Sequence, residues 1–338
     1  TDDNQLLSEM GQIVQSTSDG GYIVIGSGNA HWTGGGGCDY WSYALWKYDS
    51  GGSLLWQKTY GGNGCALSCA DFVAGGQQTY DGGYILAGNG NGCFPAQHVV
   101  KTDGAGTIQW DKAYGLAGSN GMSGMQQTDD DADALKDDGY ILMGTYSPGF
   151  LQPYNLYLLK IDVTGATVTW SNSYSIPGIY FGVGNAFSAN SIQQTPDGGY
   201  IVVADVGTDA FVMKTTSTGA VSWAKQYGGG GTDRAIEVSA TNDGGYIVAG
   251  TYNLTAMLMK LDAAGSLQWT KNVASWYQFR SVRETTDGGY IVAGEAKNGG
   301  ANPNSVIMKT DASGNVASAT CAALTNITPS VSSPAVTV

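Results

Sequence analysis

Asp243-Gly244-Gly245-Tyr246-Ile247-Val248-Ala249-Gly250 is the stretch whose reading decides the fold. Variants of it begin at Asp19, Asp81, Asp137, Asp197 and Asp287. After a variable gap each is followed by a second phrase, of which Lys260-Leu261-Asp262-Ala263-Ala264-Gly265-Ser266-Leu267-Gln268-Trp269 is a good example. The phrase tyrosines, Tyr22, Tyr84, Tyr140, Tyr200, Tyr246 and Tyr290, are spaced by 62, 56, 60, 46 and 44 residues. A repeat of about 40–50 residues holding four short strands is the signature of a propeller blade. The repeat therefore predicts an all-β, six-bladed β-propeller of four-stranded antiparallel blades.

The fifth repeat shows the expected strands. Strand A spans residues 235–241 with alternating apolar residues, and Asn242 to Gly245 turn the chain, glycine supplying positive φ. Strand B, residues 246–249, is apolar without alternation. Such runs imply burial on both faces, as when blade sheets stack. Strand C spans 256–261 and strand D 266–272. Strand D carries Trp56, Trp110, Trp170, Trp223 and Trp269, with Ser318 in the sixth repeat. One tryptophan at a fixed place per blade fills the gap between sheets that fan outward. The aspartate ahead of the second phrase's glycine, replaced by Thr216 in repeat four, is expected to cap its own turn.

The paired phrases resemble the propeller repeats of large secreted bacterial and archaeal surface proteins, over about residues 8 to 321. This resemblance implies the fold and leaves activity open. A weaker one links Asp49 to Gly52 to the tryptophan-docking repeat of pyrroloquinoline-quinone enzymes, but the spacing is one residue short and their Cys-Cys pair is absent. Kelch repeats share the double glycine and later tryptophan, in a different order relative to the tyrosine. The expected blades cover about 8–61, 70–115, 123–175, 187–228, 233–273 and 279–321. Residues 322–338 read as a Ser/Thr/Pro-rich tail, linker or stalk, with a short strand conceivable at 335–338; leading to an anchor and adding as a strand to a neighbouring subunit are its two readings.

Composition narrows the function classes. Charged residues make up 13% of the 338, apolar ones 42%, and there are 52 glycines, a globular composition rich in tight turns. A net charge of −13 offers no basic face for nucleic acid or an anionic membrane. No run of 18 apolar residues is present, so no transmembrane segment is expected. Sparse lysine, abundant Gly, Ser, Thr and Asn, and five cysteines point to an exported, extracellular protein with disulfides.

Cys38, Cys65, Cys69, Cys93 and Cys321 are the disulfide candidates, four of them in the B–C and D–A loops of repeats one and two. A bridge from Cys321 to repeat one would close the ring. Asn253 and Asn326 stand in Asn-x-Thr glycosylation patterns. Asp129, Asp131 and Asp133 alternate as at the start of a calcium loop, but Ala134 and Tyr140 occupy the glycine and glutamate places. Calcium and a solvated acidic loop are the two readings, and the second is preferred.

The B–C and D–A loops also carry Trp32, Tyr40, Trp41, Asp71, Asp209, Asp233, Trp276, Tyr277 and Arg280. Rings stack on sugar C–H faces and carboxylates accept hydroxyl protons. Aromatics and arginine also dominate protein interfaces, and a third role for the aromatics is blade packing. Asp71 and Asp233 hold equivalent places before strand A, which suggests loop capping. No nucleophile elbow, phosphate loop or dinucleotide fingerprint occurs. The expectation is a non-catalytic binding or structural module with an extracellular protein or glycan partner, open to self-association or a larger surface assembly. The alternative is a carbohydrate-active enzyme using loop carboxylates.

Overall fold

The computed structural model describes residues 6–31, 39–61, 70–91, 97–115, 119–130, 138–147, 155–176, 189–274, 276–296, 304–316 and 325–337. Two compact units divide the chain, Thr1–Gln152 with Tyr157–Ser171, and Pro153–Leu156 with Asn172–Val338. The fold class is all-β, a β-propeller with six blade sheets.

In the first unit, blade one is β1 (Leu6–Ser16), β2 (Tyr22–His31), β3 (Asp39–Tyr48) and β4 (Leu54–Tyr60). Blade two is β5 (Ala70–Gln78), β6 (Tyr84–Asn91), β7 (Gln97–Thr102) and β8 (Ile108–Tyr114). A parallel bridge between Trp41 and Ala70 joins the two. Blade three, β9 (Ser119–Gln127), β10 (Tyr140–Ser147), β11 (Asn155–Ile161) and β12 (Val168–Tyr174), is ordered β12-β11-β10-β9.

In the second unit, blade four is β13 (Ala189–Gln194), β14 (Tyr200–Val206), β15 (Asp209–Thr215) and β16 (Val221–Gly228). Blade five is β17 (Arg234–Ala240), β18 (Tyr246–Tyr252), β19 (Thr255–Leu261) and β20 (Leu267–Val273). Blade six has three strands among the described residues, β21 (Trp276–Glu284), β22 (Tyr290–Ala296) and β23 (Asn304–Thr310). Ser318, the sixth repeat's counterpart of the tryptophans, lies outside the described residues.

The tail behaves differently from a linker. Thr325–Asn326 forms β24 on the outer edge of β20, and Ser330–Ser332 forms β25 on the outer edge of β16. Thr337 then exchanges two backbone bonds, 2.9 and 2.8 Å, with Ser175. The physical reason is that an outermost strand presents unpaired N–H and C=O groups, and an uncharged extended segment satisfies them. Ile327 packs on the apolar cluster of blades four and five, and Val336 lines a small apolar pocket with Leu156, Tyr174, Ile176, Ala204, Val206 and Phe211.

Each letter of the repeated phrase has a mechanical cause. In blade five Gly244 sits at φ +80°, in a turn closed by its N–H on the Thr241 carbonyl at 2.9 Å. A Cβ on Gly250 would stand 1.9 Å from the Arg234 carbonyl oxygen, because β17 bulges there between Ala235 and Glu237. Strand B is buried on both faces in β14 and β18, as its unbroken apolar run predicts. Blade six departs, since β22 buries alternate residues only and leaves Ile291 exposed.

The second phrase locks one blade to the next. Trp56, Trp110, Trp223 and Trp269 lie 5.8–6.0 Å from the rings of Tyr84, Tyr140, Tyr246 and Tyr290, the strand B tyrosines of the following blades. The same indoles cover Gly106, Gly165, Gly265 and Gly314 in the following C–D turns, where a Cβ would approach within 2.7–3.1 Å. The tyrosine four residues on completes the lock. Tyr60, Tyr114 and Tyr227 donate to the carbonyls of Gly106, Gly165 and Gly265 at 2.9, 2.6 and 2.5 Å. Tyr22, which no preceding blade of its unit covers with a tryptophan, stays 42% exposed. The C–D turn aspartates cap their turns, as Asp262 does by accepting from Ala264 N at 2.9 Å and Ser266 N at 2.7 Å.

Candidate functional site

Carboxylates with shifted acidity gather at functional sites. Five of those in this chain belong to one device that the sequence did not announce. The lysine of the second phrase reaches back across its blade to the aspartate of the first. Lys47, Lys101, Lys214, Lys260 and Lys309 hold Asp19, Asp81, Asp197, Asp243 and Asp287 at 2.8–2.9 Å. The threonine two residues before the aspartate donates to the same carboxylate, from Thr241 at 2.6 Å in blade five, and Gly245 N adds a third bond at 3.0 Å. Blade three keeps the clamp with a shifted partner. Lys160 pairs with Asp130 at 2.7 Å and donates to the Asp138 carbonyl at 3.0 Å. The clamp carboxylate described in blade three is Asp130, two residues after Thr128, whose hydroxyl does not join the clamp; Asp137 lies outside the described residues.

The clamps set the acid response. Partial burial raises the Asp243 pKa, but bonds from Lys260, Thr241 and Gly245 outweigh this and bring it to about 2. Asp197 is held at about 2 by the equivalent balance. Asp19 is lowered chiefly by Thr17, then by Lys47 and Gly21. A folded pKa below the unfolded one contributes stability above the unfolded value, lost as pH falls through the folded value. Melting temperature is therefore expected to hold from pH 7 to 5 and to fall steeply from about pH 4 to pH 2. Asp243→Asn should flatten part of that fall in a thermal-melt pH series.

Two carboxylates shift the other way, and both sit at the loop-bearing end of blades four and five. Asp205 closes β14 and is buried; burial raises its pKa against the pull of Arg234 and Asn190. Arg234 Nε donates to Asp205 Oδ2 at 2.8 Å and Ala235 N to Oδ1 at 3.1 Å. Asp233 is 1% exposed; burial raises it first and the nearby Asp209 charge adds to this. Its oxygens accept from Gly229 N and Asn253 N, each at 2.7 Å, and its own N–H donates to the Thr208 carbonyl at 2.7 Å. Asp233 thereby ties the D–A connection to two B–C turns. Asp209 opens β15, accepts from Thr208 Oγ1 at 3.3 Å and packs on Gly228.

Blade six carries the other described candidates. Trp276 is buried and meets Phe279 edge-on at 5.4 Å, a core role. Tyr277 is 47% exposed on the same strand, and Arg280 is exposed with Nε 2.5 Å from Glu295 Oε1. Gln278 Nε2 donates to the other Glu295 oxygen at 3.1 Å. The structure thus brings Arg280 together with Gln278 and Glu295, and Asp205 together with Arg234, two groupings that spacing in the sequence does not reveal.

Asn253 occupies the exposed β18–β19 turn, where it and Leu254 adopt φ +48° and +61°. Asn326 lies in β24, and Tyr40, Trp41 and Asp71 lie on β3 and β5. Trp32, the candidate carboxylates Asp131 and Asp133, and Cys38, Cys65, Cys69, Cys93 and Cys321 fall outside the described residues. Asp129 is the one calcium-loop candidate among the described residues, which hold no cluster of three metal-ligating side chains. No helix of the described residues is long and apolar enough to cross a membrane.

No family model matches this chain, and no curated protein matches it significantly. Solved structures do. A protein of unknown function from Dyadobacter fermentans aligns with a TM-score of 0.52 at 10% identity, covering 90% of this chain and 98% of its own. Sqt1 from Chaetomium thermophilum gives 0.47 at 12% identity over 93% and 74% of the two chains. Prolyl oligopeptidase B from Galerina marginata gives 0.49 at 10% over 96% and 43%. At these identities the likeness to the Dyadobacter protein speaks for the fold alone.

Proposed function

We propose that this chain is an extracellular, non-catalytic binding or structural module that meets a protein or glycan partner through the loop-bearing ends of its blades. The observation that supports this reading is how the carboxylates are used. Asp205 and Asp233, the two buried acids of the blade four and five loops, are each engaged by backbone N–H groups that fix those loops. A general acid or nucleophile needs a carboxyl directed at substrate. Tyr277 and Arg280, by contrast, stand exposed on a strand anchored by Trp276 and Phe279. Rigid aromatics and arginine of this kind supply most interface energy. Export rests on the composition and the five cysteines.

A glycan array run beside a glycoside-hydrolysis screen, and cross-linking in source material, test the proposal. Binding without turnover, weakened about tenfold or more by Tyr277→Ala with Arg280→Ala, is expected. Turnover that disappears in folded Asp205→Asn or Asp233→Asn protein would replace it with the carbohydrate-active enzyme.

A further inference from the structure

The outermost strands of the two units share one template and differ in what covers them. In β4, β8, β16 and β20 a tryptophan faces the phrase lysine of strand C, and a register shift follows directly, between Lys47/Tyr48, Lys101/Thr102, Lys214/Thr215 and Lys260/Leu261. The free main-chain edge is therefore presented in the same phase in all four. On β16 and β20 the tail takes that edge. Gln226, Tyr227 and Gly228 face Ser332, Val331 and Ser330, and Lys271 and Asn272 face Asn326 and Thr325. Ser330 Oγ adds a bond to the Gly228 carbonyl at 2.8 Å. Under this cover Gln226 and Asn272 are 8% and 7% exposed. Among the described residues β4 pairs only with β3, and β8 ends its sheet. At the positions matching Gln226 and Asn272 there, Thr59 is half-buried and Ala113 exposed. Leu54, Leu55 and Ile108 on these strands also face solvent.

We propose that the outer edges of β8 and β4 are strand-addition sites for the tail of a second copy of this chain, Thr325–Asn326 pairing with β8 and Ser330–Ser332 with β4. The tail is the ligand that the structure already shows on this template. Its two pairing stretches bridge consecutive blades, running from the later blade to the earlier, and β8 and β4 are likewise consecutive. Residues 322–338 contain no charged side chain, so a tail approaches a chain of net charge −13 without repulsion. Each chain has one tail, so occupying β8 and β4 takes the tail of another molecule, released by exchange from that molecule's own β20 and β16. Main-chain pairing supplies the attachment, as in other strand additions. This inference is independent of the loop-end reading, because it concerns a different surface.

The test uses the intact chain and a synthetic peptide of residues 322–338. Amide hydrogen exchange is expected to slow in β4 and β8 when the peptide is added, and not when it carries Ile327→Pro and Ser332→Pro, which remove N–H groups that face the partner strand. Sedimentation of the intact chain is expected to show association that grows with concentration and is suppressed by excess peptide. Protection confined to β16 and β20, where the peptide would only replace the resident tail, overturns the proposal. So does no protection, or a chain that remains monomeric at millimolar concentration.

Discussion

Asp243→Ala is expected to lower the unfolding free energy by about 3 kcal/mol, the low end for breaking a buried ion pair. The low end applies because Asp243 is half in water while Lys260 is buried. The loss falls on the lysine, which keeps only Thr241 Oγ1 and the Leu261 carbonyl, at 3.1 and 3.2 Å, as acceptors. Lys260→Met should cost less, since the stranded group is then a carboxylate that solvent reaches. Chemical denaturation followed by tryptophan fluorescence measures both. Equal losses would show that the clamp is not limited by desolvation of its lysine.

Trp223→Ala carries the second large effect, about 3 kcal/mol, near the lower bound for truncating a packed tryptophan because this one is half-buried. Its ring lies against Gly265 and 5.9 Å from Tyr246, and its N–H donates to the Ala263 carbonyl at 3.1 Å. Truncation opens a gap between blades four and five and leaves that carbonyl to water. Tyr227→Phe removes only the bond to Gly265 and should cost about 1 kcal/mol. A Trp223→Ala loss below that of Tyr227→Phe would mean that the tryptophans decorate the blades rather than join them. Both changes lie within the second unit.

How much of this was legible depends on how far apart the cooperating residues lie. The hairpin glycines, the buried strand B and the tryptophan were readable because each acts through its own neighbourhood and recurs in phase. The Asp–Lys clamp was present in the text and silent. Lys260 meets Asp243 only because β18 and β19 pair in one register, 17 residues apart in sequence. Blade three hid its clamp further by placing Asp130 ahead of an insertion. The tail gave no signal either, since its strands are two and three residues long and pairing on an edge needs no apolar alternation. At the loop ends the sequence supplied residue types and the structure assigned them. Trp276 went to the core, Asp233 to the loop framework and Tyr277 with Arg280 to the surface. Repetition marks what holds blades together, and a binding function belongs to what does not repeat.

The central claim is that the two repeated phrases form one mechanical unit, with the buried lysine as the group at risk. A double-mutant cycle on Asp243→Ala and Lys260→Met tests it most directly. The account predicts that adding Lys260→Met to the Asp243→Ala protein restores more than about 1 kcal/mol, because removing the stranded charge relieves its desolvation. Losses that simply add would contradict it, and the phrases would then be two independent motifs.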